Sequence, residues 1–444
     1  MNINTMYKLD FGDRMTDKQV KDAVDFFISY QLPLAIKLDR YKMGKNNKRE
    51  RIRTVGEDVG ECIVIPYGRK IIKTVAGYMF KPGNIGYESD NDAYKDAIDE
   101  IRDENEDDIK TSRLGDIVST FGIGYEIFEL KEESIKYYPM KPTEVMPIFS
   151  FDIEPVVKAF IRIYQTDKNY TTKESTFTVD VYYDTTMQSY EYKKDTLKKM
   201  LYLDNENEVD ELEHGFERPP LVVYYNNAEI LGDFEPVLPL IDAYDVLMSD
   251  GFTEVEKFAM AYLVLSDVSI AEDDIDKIKK RRILEMTEQG KAEYLTKNLS
   301  PEYIKFIKEW IREEIHKQAQ IPDMSDNSFA GDQSGIAIRY KLSDLENLCA
   351  DKEIYFRKGL YDRLDFISWY LTTFKKVQGE IDEVEVTFTR NFPQNYSEIG
   401  DIIMKLRGAV SLETLLSKLV PFVEDATEEM KKIDQENAFE PLEE

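Results

Sequence analysis

Three residues of this 444-residue chain stand at a spacing that could hold a metal ion: Asp184, then Glu191 and Lys193 on either side of Tyr192. An Asp followed across a hairpin by Glu-x-Lys is how many nucleases hold Mg²⁺ beside a lysine, with the metal activating water. The chain carries 87 Asp and Glu, so three such common types also meet by chance, and a solvated hairpin edge is the competing reading. Other chemistry is thin. His214 and His316 are the only histidines, and neither lies in an H-E-x-x-H run, which leaves no triad and no zinc cluster. Gly44-Lys45 lacks the upstream glycine and the following hydroxyl of a phosphate-binding loop. The carboxylates of Asp99–Asp108 are dense but consecutive on a helix, so they point in many directions. Cys62 and Cys349 are far apart and form no metal or disulfide pattern, which suits a reducing cytosol. No cofactor and no metal are expected.

Charge narrows the function classes further. The net charge is −29. A protein that grips DNA by neutralising phosphates carries a basic surface, so the charge argues against tight DNA binding but not against passage of DNA. Two basic clusters break the acidity. Lys37–Arg53 sets eight Lys or Arg against Asp39 and Glu50, and reads as a solvated loop or as a contact with nucleic acid or an acidic neighbour. Lys277, Lys279, Lys280, Arg281, Arg282 and Lys291 form the second. The longest apolar run, Phe258–Leu265, is far short of the ~20 residues that span a bilayer, and the N-terminus lacks the basic-then-apolar pattern of a signal peptide. No membrane is expected.

The elements that would position these residues fall into an α+β order. Thr16–Leu38 has helical periodicity with Thr16 as N-cap, Ile63–Met79 reads as a short apolar entry and then an apolar helix, and Asp92–Leu114 reads as an acidic amphipathic helix. Between Gly122 and Tyr192, alternating β-branched and aromatic runs predict antiparallel strands. From 236 to 266, apolar residues at helical spacing predict one rod of about 30 residues, ~45 Å long. A small mixed insert follows at 267–300, then a second rod at 301–321. Ile336–Lys376 reads as a helix of about 40 residues that Gly359 could bend. Val384–Phe392 reads as a strand, and helices with an acidic tail fill 393–444. Two rods flanking an insert make a projecting hairpin with apolar surface on several sides. Such a hairpin needs neighbours, and copies of itself offset around an axis would close a ring. Between the second rod and the long helix lies a polar, glycine-containing loop, 322–335, of a length that tends to be functional.

Four stretches carry a resemblance to a known family: IPDMSDNSFAGDQSGIAIRYKLSDLENL (Ile321–Leu348), HGFERPPLVVYYNNAEI (His214–Ile230), VIPYGRKIIKTVAGYMFKPGNIGY (Val64–Tyr87) and VTFTRNFPQNYSEI (Val386–Ile399). The chain resembles the portal, or head-to-tail connector, proteins of long-tailed double-stranded-DNA bacteriophages, of the type that infects Gram-positive hosts. The resemblance implies a portal fold. Its α/β wing would be residues 1–235, its stem the helices 236–266 and 301–321, and its small α/β clip 267–300. The tunnel loop would be 322–335, the long wing helix and strand 336–392, and the helical crown with an acidic tail 393–444. It also implies a non-enzymatic dodecameric ring at one capsid vertex of the virion, assembled in the host cytoplasm. DNA would pass through it during packaging, retention and ejection. Its partners would be the terminase large subunit, a head-completion or adaptor protein, and the major capsid and scaffolding proteins.

On that implication the loop faces DNA through Asp323, Ser325, Asp326, Asn327, Ser328, Phe329, Gly331, Asp332, Gln333 and Ser334. The acids there would repel phosphates, the glycines would give backbone freedom, and Phe329 would pack between adjacent loops. The basic cluster of the clip would meet DNA at the channel exit, acidic surfaces of the motor or head-completion proteins, or a neighbouring subunit. The nuclease built on Asp184, Glu191 and Lys193, and an oligomeric scaffold that never meets DNA, are the rival readings.

Overall fold

The computed structural model describes residues 6–46, 63–131, 134–169, 174–204, 207–259, 262–266, 291–295, 301–323, 340–390, 396–420, 426 and 429–433. After a short strand β1 (Tyr7–Lys8), α1 (Asp17–Phe26) starts on a capping box. The Gln19 N–H donates to the Thr16 hydroxyl (3.3 Å) and the Thr16 N–H donates to the Gln19 side chain (2.9 Å). The expected helix does not run on uniformly. It widens to a π-turn at Phe27–Gln31 and resumes as α2 (Leu32–Lys42). The widening sends buried Gln31 inward, where its Nε2 donates to the carbonyls of Pro142 and Val145, both at 2.8 Å. The basic segment is therefore helical as far as Lys42 rather than a loop, and its residues 47–53 lie outside the described set.

α3 (Tyr67–Met79) and β2 (Ile85–Ser89) follow, and then the acidic region. It is two helices, α4 (Asp92–Glu104) and α5 (Asp107–Phe121), not one. The break is a residue in left-handed conformation, Glu106 with φ 52°. Its cause lies inside: buried Asn105 donates to the carbonyls of Ile101 and Ile135 (2.9 Å each), and Asp107 turns into the core. α5 stops at Gly122, φ 78°, where a Cβ would stand 2.2 Å from the Ile230 carbonyl oxygen. Only glycine fits there.

The strand region is antiparallel as expected and divides between two sheets. β3 (Ile123–Lys131) and β4 (Ser134–Met140) pair with the later β13 (Leu221–Tyr225) in one three-stranded sheet, order β13-β3-β4. β5 (Val145–Phe149), β6 (Val157–Asn169), β7 (Glu174–Tyr182), β8 (Thr186–Lys193), β9 (Thr196–Lys199) and β12 (Leu212–Glu213) join β1 in a seven-stranded sheet. β1 runs parallel to β5, with Tyr7 opposite Ile148, and α1 covers one face through Val20, Ala23 and Val24, continued by Phe27 of the π-turn. Between β9 and β12 lies a small hairpin of β10 (Tyr202–Asp204) and β11 (Asn207–Val209).

The first rod, α6 (Leu238–Ala259), is shorter than expected. Residues Tyr262–Ser266 form β14, paired antiparallel with β15 (Lys291–Leu295), so the helix predicted to reach 266 ends by Ala259. The run around Tyr262–Ser266 is apolar on every side, and such a run fits a strand as well as a helix once a partner strand exists. The second rod is α7 (Pro301–Gln318) and the long helix is α8 (Ser343–Tyr370), extended by a π-turn at Leu371–Lys375. β16 (Val384–Phe388) returns to pair with β2, and α9 (Tyr396–Leu406) and α10 (Leu412–Leu419) end the described chain's main elements.

One large core joins α2, α3, α4, α5, α6, α7 and α8 with β2, β3, β4, β13 and β16. Each fully buried Ile, Leu or Phe there contributes ~1.5–3 kcal/mol. α8 turns a continuous stripe inward, Cys349, Lys352, Phe356, Leu360, Arg363, Ile367 and Tyr370. Two members are cations, and both are matched. Arg363 donates to Glu126 through Nε (2.8 Å) and Nη2 (3.0 Å), and to Asp107 through Nη1 (2.6 Å). Lys352 donates to Asp233 and Ser119, both at 2.7 Å.

Candidate functional site

The loop 322–335 leaves the second rod at a junction of three elements. α7 ends with Ala319 N–H donating to the Ile315 carbonyl (3.0 Å) and Gln320 in a left-handed turn at φ 52°. The Ile321 N–H then returns to the His316 carbonyl (3.0 Å), and the Ile321 side chain is buried. This is how a helix terminates when its last carbonyls must be satisfied without glycine. Asp323 follows and turns back on the junction. Its Oδ2 lies 3.3 Å from Arg312 Nε of α7, and its Oδ1 lies 3.7 Å from His316 Nε2 and 3.9 Å from Lys70 Nζ of α3.

Both ring nitrogens of His316 are engaged within the junction. Its Nδ1 is 2.8 Å from the Arg312 carbonyl, so Nδ1 carries the proton, and Nε2 accepts from Lys70 Nζ at 2.9 Å. Burial pushes its pKa below the ordinary 6.5, and the nearby Lys70 and Arg312 push the same way against Asp323. Tyr67 of α3 sits edge-on to both His316 (5.9 Å) and Tyr244 of α6 (5.3 Å). α3, α6 and α7 therefore meet around the loop's root. Sequence reading named Asp323 but missed Lys70, Arg312 and His316; charged residues on two helices separated by more than two hundred positions give no local signal.

The second rod carries an exposed apolar ridge. Its inner face packs through Ile307, Ile311 and Ile315 on the core, while Tyr303, Phe306 and Trp310 are 65%, 61% and 49% exposed. Spacings of three and four residues place the three aromatics on one stripe.

The other predicted residues divide cleanly. Ser325, Asp326, Asn327, Ser328, Phe329, Gly331, Asp332, Gln333 and Ser334 lie outside the described residues, as do Lys277, Lys279, Lys280, Arg281 and Arg282. Lys291 opens β15, opposite Ser266. The nuclease constellation is not brought together. Asp184 lies in the turn before β8, and Glu191 and Lys193 lie near that strand's far end. Seven residues of extended chain put Asp184 and Glu191 on the order of 20 Å apart, too far to share one metal. Among the described residues no group of three or more His, Cys, Asp or Glu could hold a metal ion. The carboxylates of Asp99–Asp108 are partly tied to cations: Asp99 pairs with Lys95 and Arg102 (3.0 Å each), and Asp107 with Arg102 (3.0 Å).

Comparison with known proteins bears on the same regions. The family model described as phage portal protein, SPP1 Gp6-like, matches residues 28–440. The portal protein of Bacillus phage SPP1 is 28% identical over 371 residues, covering 79% of this chain and 71% of that protein. The portal protein of Clostridium phage phiCD119 is 24% identical over 316 residues, covering 68% and 67%. Among solved structures, a chain of the neck of a native gene transfer agent particle, computed with C12 symmetry, aligns with a TM-score of 0.48 at 11% identity over 87% of this chain and 93% of that one. With its matched span reaching from inside the first helical region to the acidic tail, the chain belongs to the SPP1 Gp6-like family of phage portal proteins.

Proposed function

We propose that this portal chain closes with copies of itself into a dodecameric ring at one capsid vertex, and that double-stranded DNA passes through the ring's centre. The observation that carries the ring is the aromatic ridge of α7. Three large side chains stay exposed on a helix whose opposite face is already packed. Burying each contributes ~1.5–3 kcal/mol, and a neighbouring copy's stem is the surface available at fixed stoichiometry. The loop 322–335, rooted where wing and stem meet, then recurs at one level of the ring and lines the passage. An acidic chain suits a conduit, since it does not hold the phosphates that move past it.

The clip residues 267–300, with Lys277, Lys279, Lys280, Arg281, Arg282 and Lys291, form the outer docking end for the terminase large subunit and head-completion proteins. The wing faces major capsid and scaffolding proteins. Hydrolysis of ATP belongs to the motor, because the sequence has no phosphate-binding loop, and we assign no catalytic step to this chain. The ring assembles in the host cytoplasm and ends in the virion.

The test is the double variant Phe306→Ser/Trp310→Ser. Rings seen by electron microscopy are expected to give way to monomers or small oligomers, while each chain keeps its secondary structure by circular dichroism. Undiminished rings would remove the ridge from the interface.

A further inference from the structure

We propose that Asp323 is a positioning residue, an electrostatic latch that ties the stem helix α7 to the wing helix α3 and so fixes the direction in which the chain leaves the stem. The proposal rests on the reading of 322–335 as channel lining and adds to it the device that sets the loop's root. Asp323 is only 15% exposed in its side chain, and its carboxylate faces cations from two different elements, Arg312 on α7 and Lys70 on α3. Lys70 is held at the same time by His316 Nε2 at 2.9 Å, so the α3 side of the latch is itself anchored to α7. His316 in turn is fixed by the Arg312 carbonyl at 2.8 Å. Four side chains and the Arg312 carbonyl thus form a closed circuit from α7 to α3 and back.

The backbone gives the circuit its purpose. Gln320 holds a left-handed conformation at φ 52° without being glycine or asparagine. Such a residue persists only where the surroundings over-determine it. Buried Ile321 fixes the position of the chain, but an apolar contact is not directional. The carboxylate of Asp323 supplies direction. A load on the loop would pass through it to α3, and α3 packs against α5 and the core of the wing.

Three variants test this in the full chain: Asp323→Asn, which keeps shape and removes charge; Asp323→Glu, which keeps charge; and Lys70→Met, which removes the α3 cation at a side chain 43% exposed. For each, rings are counted by electron microscopy, amide hydrogen exchange is followed in peptides covering 312–323 and 67–79, and packaged DNA is measured in assembled heads. Wild-type heads serve as the control for the channel reading itself; if they fill without DNA passing through the ring, that reading fails irrespective of the latch.

Asp323→Asn is expected to assemble, to exchange about tenfold faster in both peptides, the shift that ~1.4 kcal/mol produces, and to package several-fold less DNA. Asp323→Glu is expected to restore both, and Lys70→Met to reproduce the faster exchange. Should Asp323→Asn fail to assemble, Lys70→Met alone decides: faster exchange at 312–323 and at 67–79 supports the latch, and unchanged exchange overturns it. Normal exchange in Asp323→Asn rings, faster exchange confined to 312–323, or full packaging despite faster exchange each overturns it as well.

Discussion

Arg363 shows what a single residue does in this molecule. Its guanidinium is buried among Glu126, Asp107, Tyr224 and Thr111. Burial pushes the Glu126 carboxyl up while Arg363 pulls it back, whereas Asp107 ends below its ordinary value because Arg363 and Arg102 together outweigh its burial. The group is stable only as a complete set. Arg363→Met is therefore expected to cost ~3–5 kcal/mol in urea unfolding, because it leaves Glu126 buried and unpaired. Adding Glu126→Gln is expected to recover part of that loss, and a loss below ~1 kcal/mol for Arg363→Met contradicts the account. The histidines give a pH dependence. Burial holds His316 and His214 below the ordinary value of 6.5. The unfolded chain takes up protons that the folded chain refuses, so their contribution is complete above about pH 6.5 and is lost as pH falls toward the lowered folded values. The urea midpoint is expected to drop from about pH 7 to about pH 5, and to drop less in a His214→Asn/His316→Asn variant. Equal slopes in the two proteins would contradict the assignment. These side chains were poorly legible in the sequence. Lys352 and Arg363 sit at helical spacing with Phe356, Leu360 and Ile367, but a cation in a helix reads as solvent-facing until its acid partners, hundreds of positions away, are placed beside it.

At the scale of elements, what was legible followed local pattern and what was not followed long-range pairing. α1 was marked by its Thr16 N-cap and helical periodicity, α3 by its apolar face, and β3, β4, β6, β7 and β8 by alternation. β5 escaped because it is short and contains Pro147. β14 escaped because its partner β15 begins 25 residues later, beyond the reach of any local signal. The break between α4 and α5 has no glycine or proline to announce it, and Glu106 takes the left-handed turn instead. Gly359 was read as a place where the long helix could bend. Its role is close packing: a Cβ there would stand 2.4 Å from the Tyr224 ring, on the strand β13 that α8 crosses. In an exposed helix Gly→Ala stabilises by ~1 kcal/mol; here Gly359→Ala is expected to destabilise by ~1–3 kcal/mol through overpacking, read as a lower urea midpoint. A raised midpoint would mean that α8 lies farther from β13. Of the candidate site, the sequence placed the loop between a rod and a long helix and included Asp323. It could not show that α3 comes to the loop's root, since that contact exists only after α6, α7 and the wing have packed together.

For the whole molecule, a net charge of −29 and an exposed aromatic stripe make opposite demands. Like charge drives copies apart, and buried aromatic area draws them together. A ring resolves both if the aromatics lie at the subunit boundaries and the acids face solvent and the passage. The balance also makes assembly salt-dependent: screening shortens the range of repulsion to ~8 Å at physiological ionic strength, so rings are expected to persist better in moderate salt than in very low salt. The central claim is that the stem exists to close a ring around DNA. The most direct test is electron microscopy of the purified full-length protein viewed down its axis. The account predicts a closed annulus of stem hairpins with a central hole that admits a B-form duplex and with the root of the 322–335 loop facing that hole. A monomer with a soluble, exposed stem, or a ring that carries Asp323 on its outer rim, would contradict it.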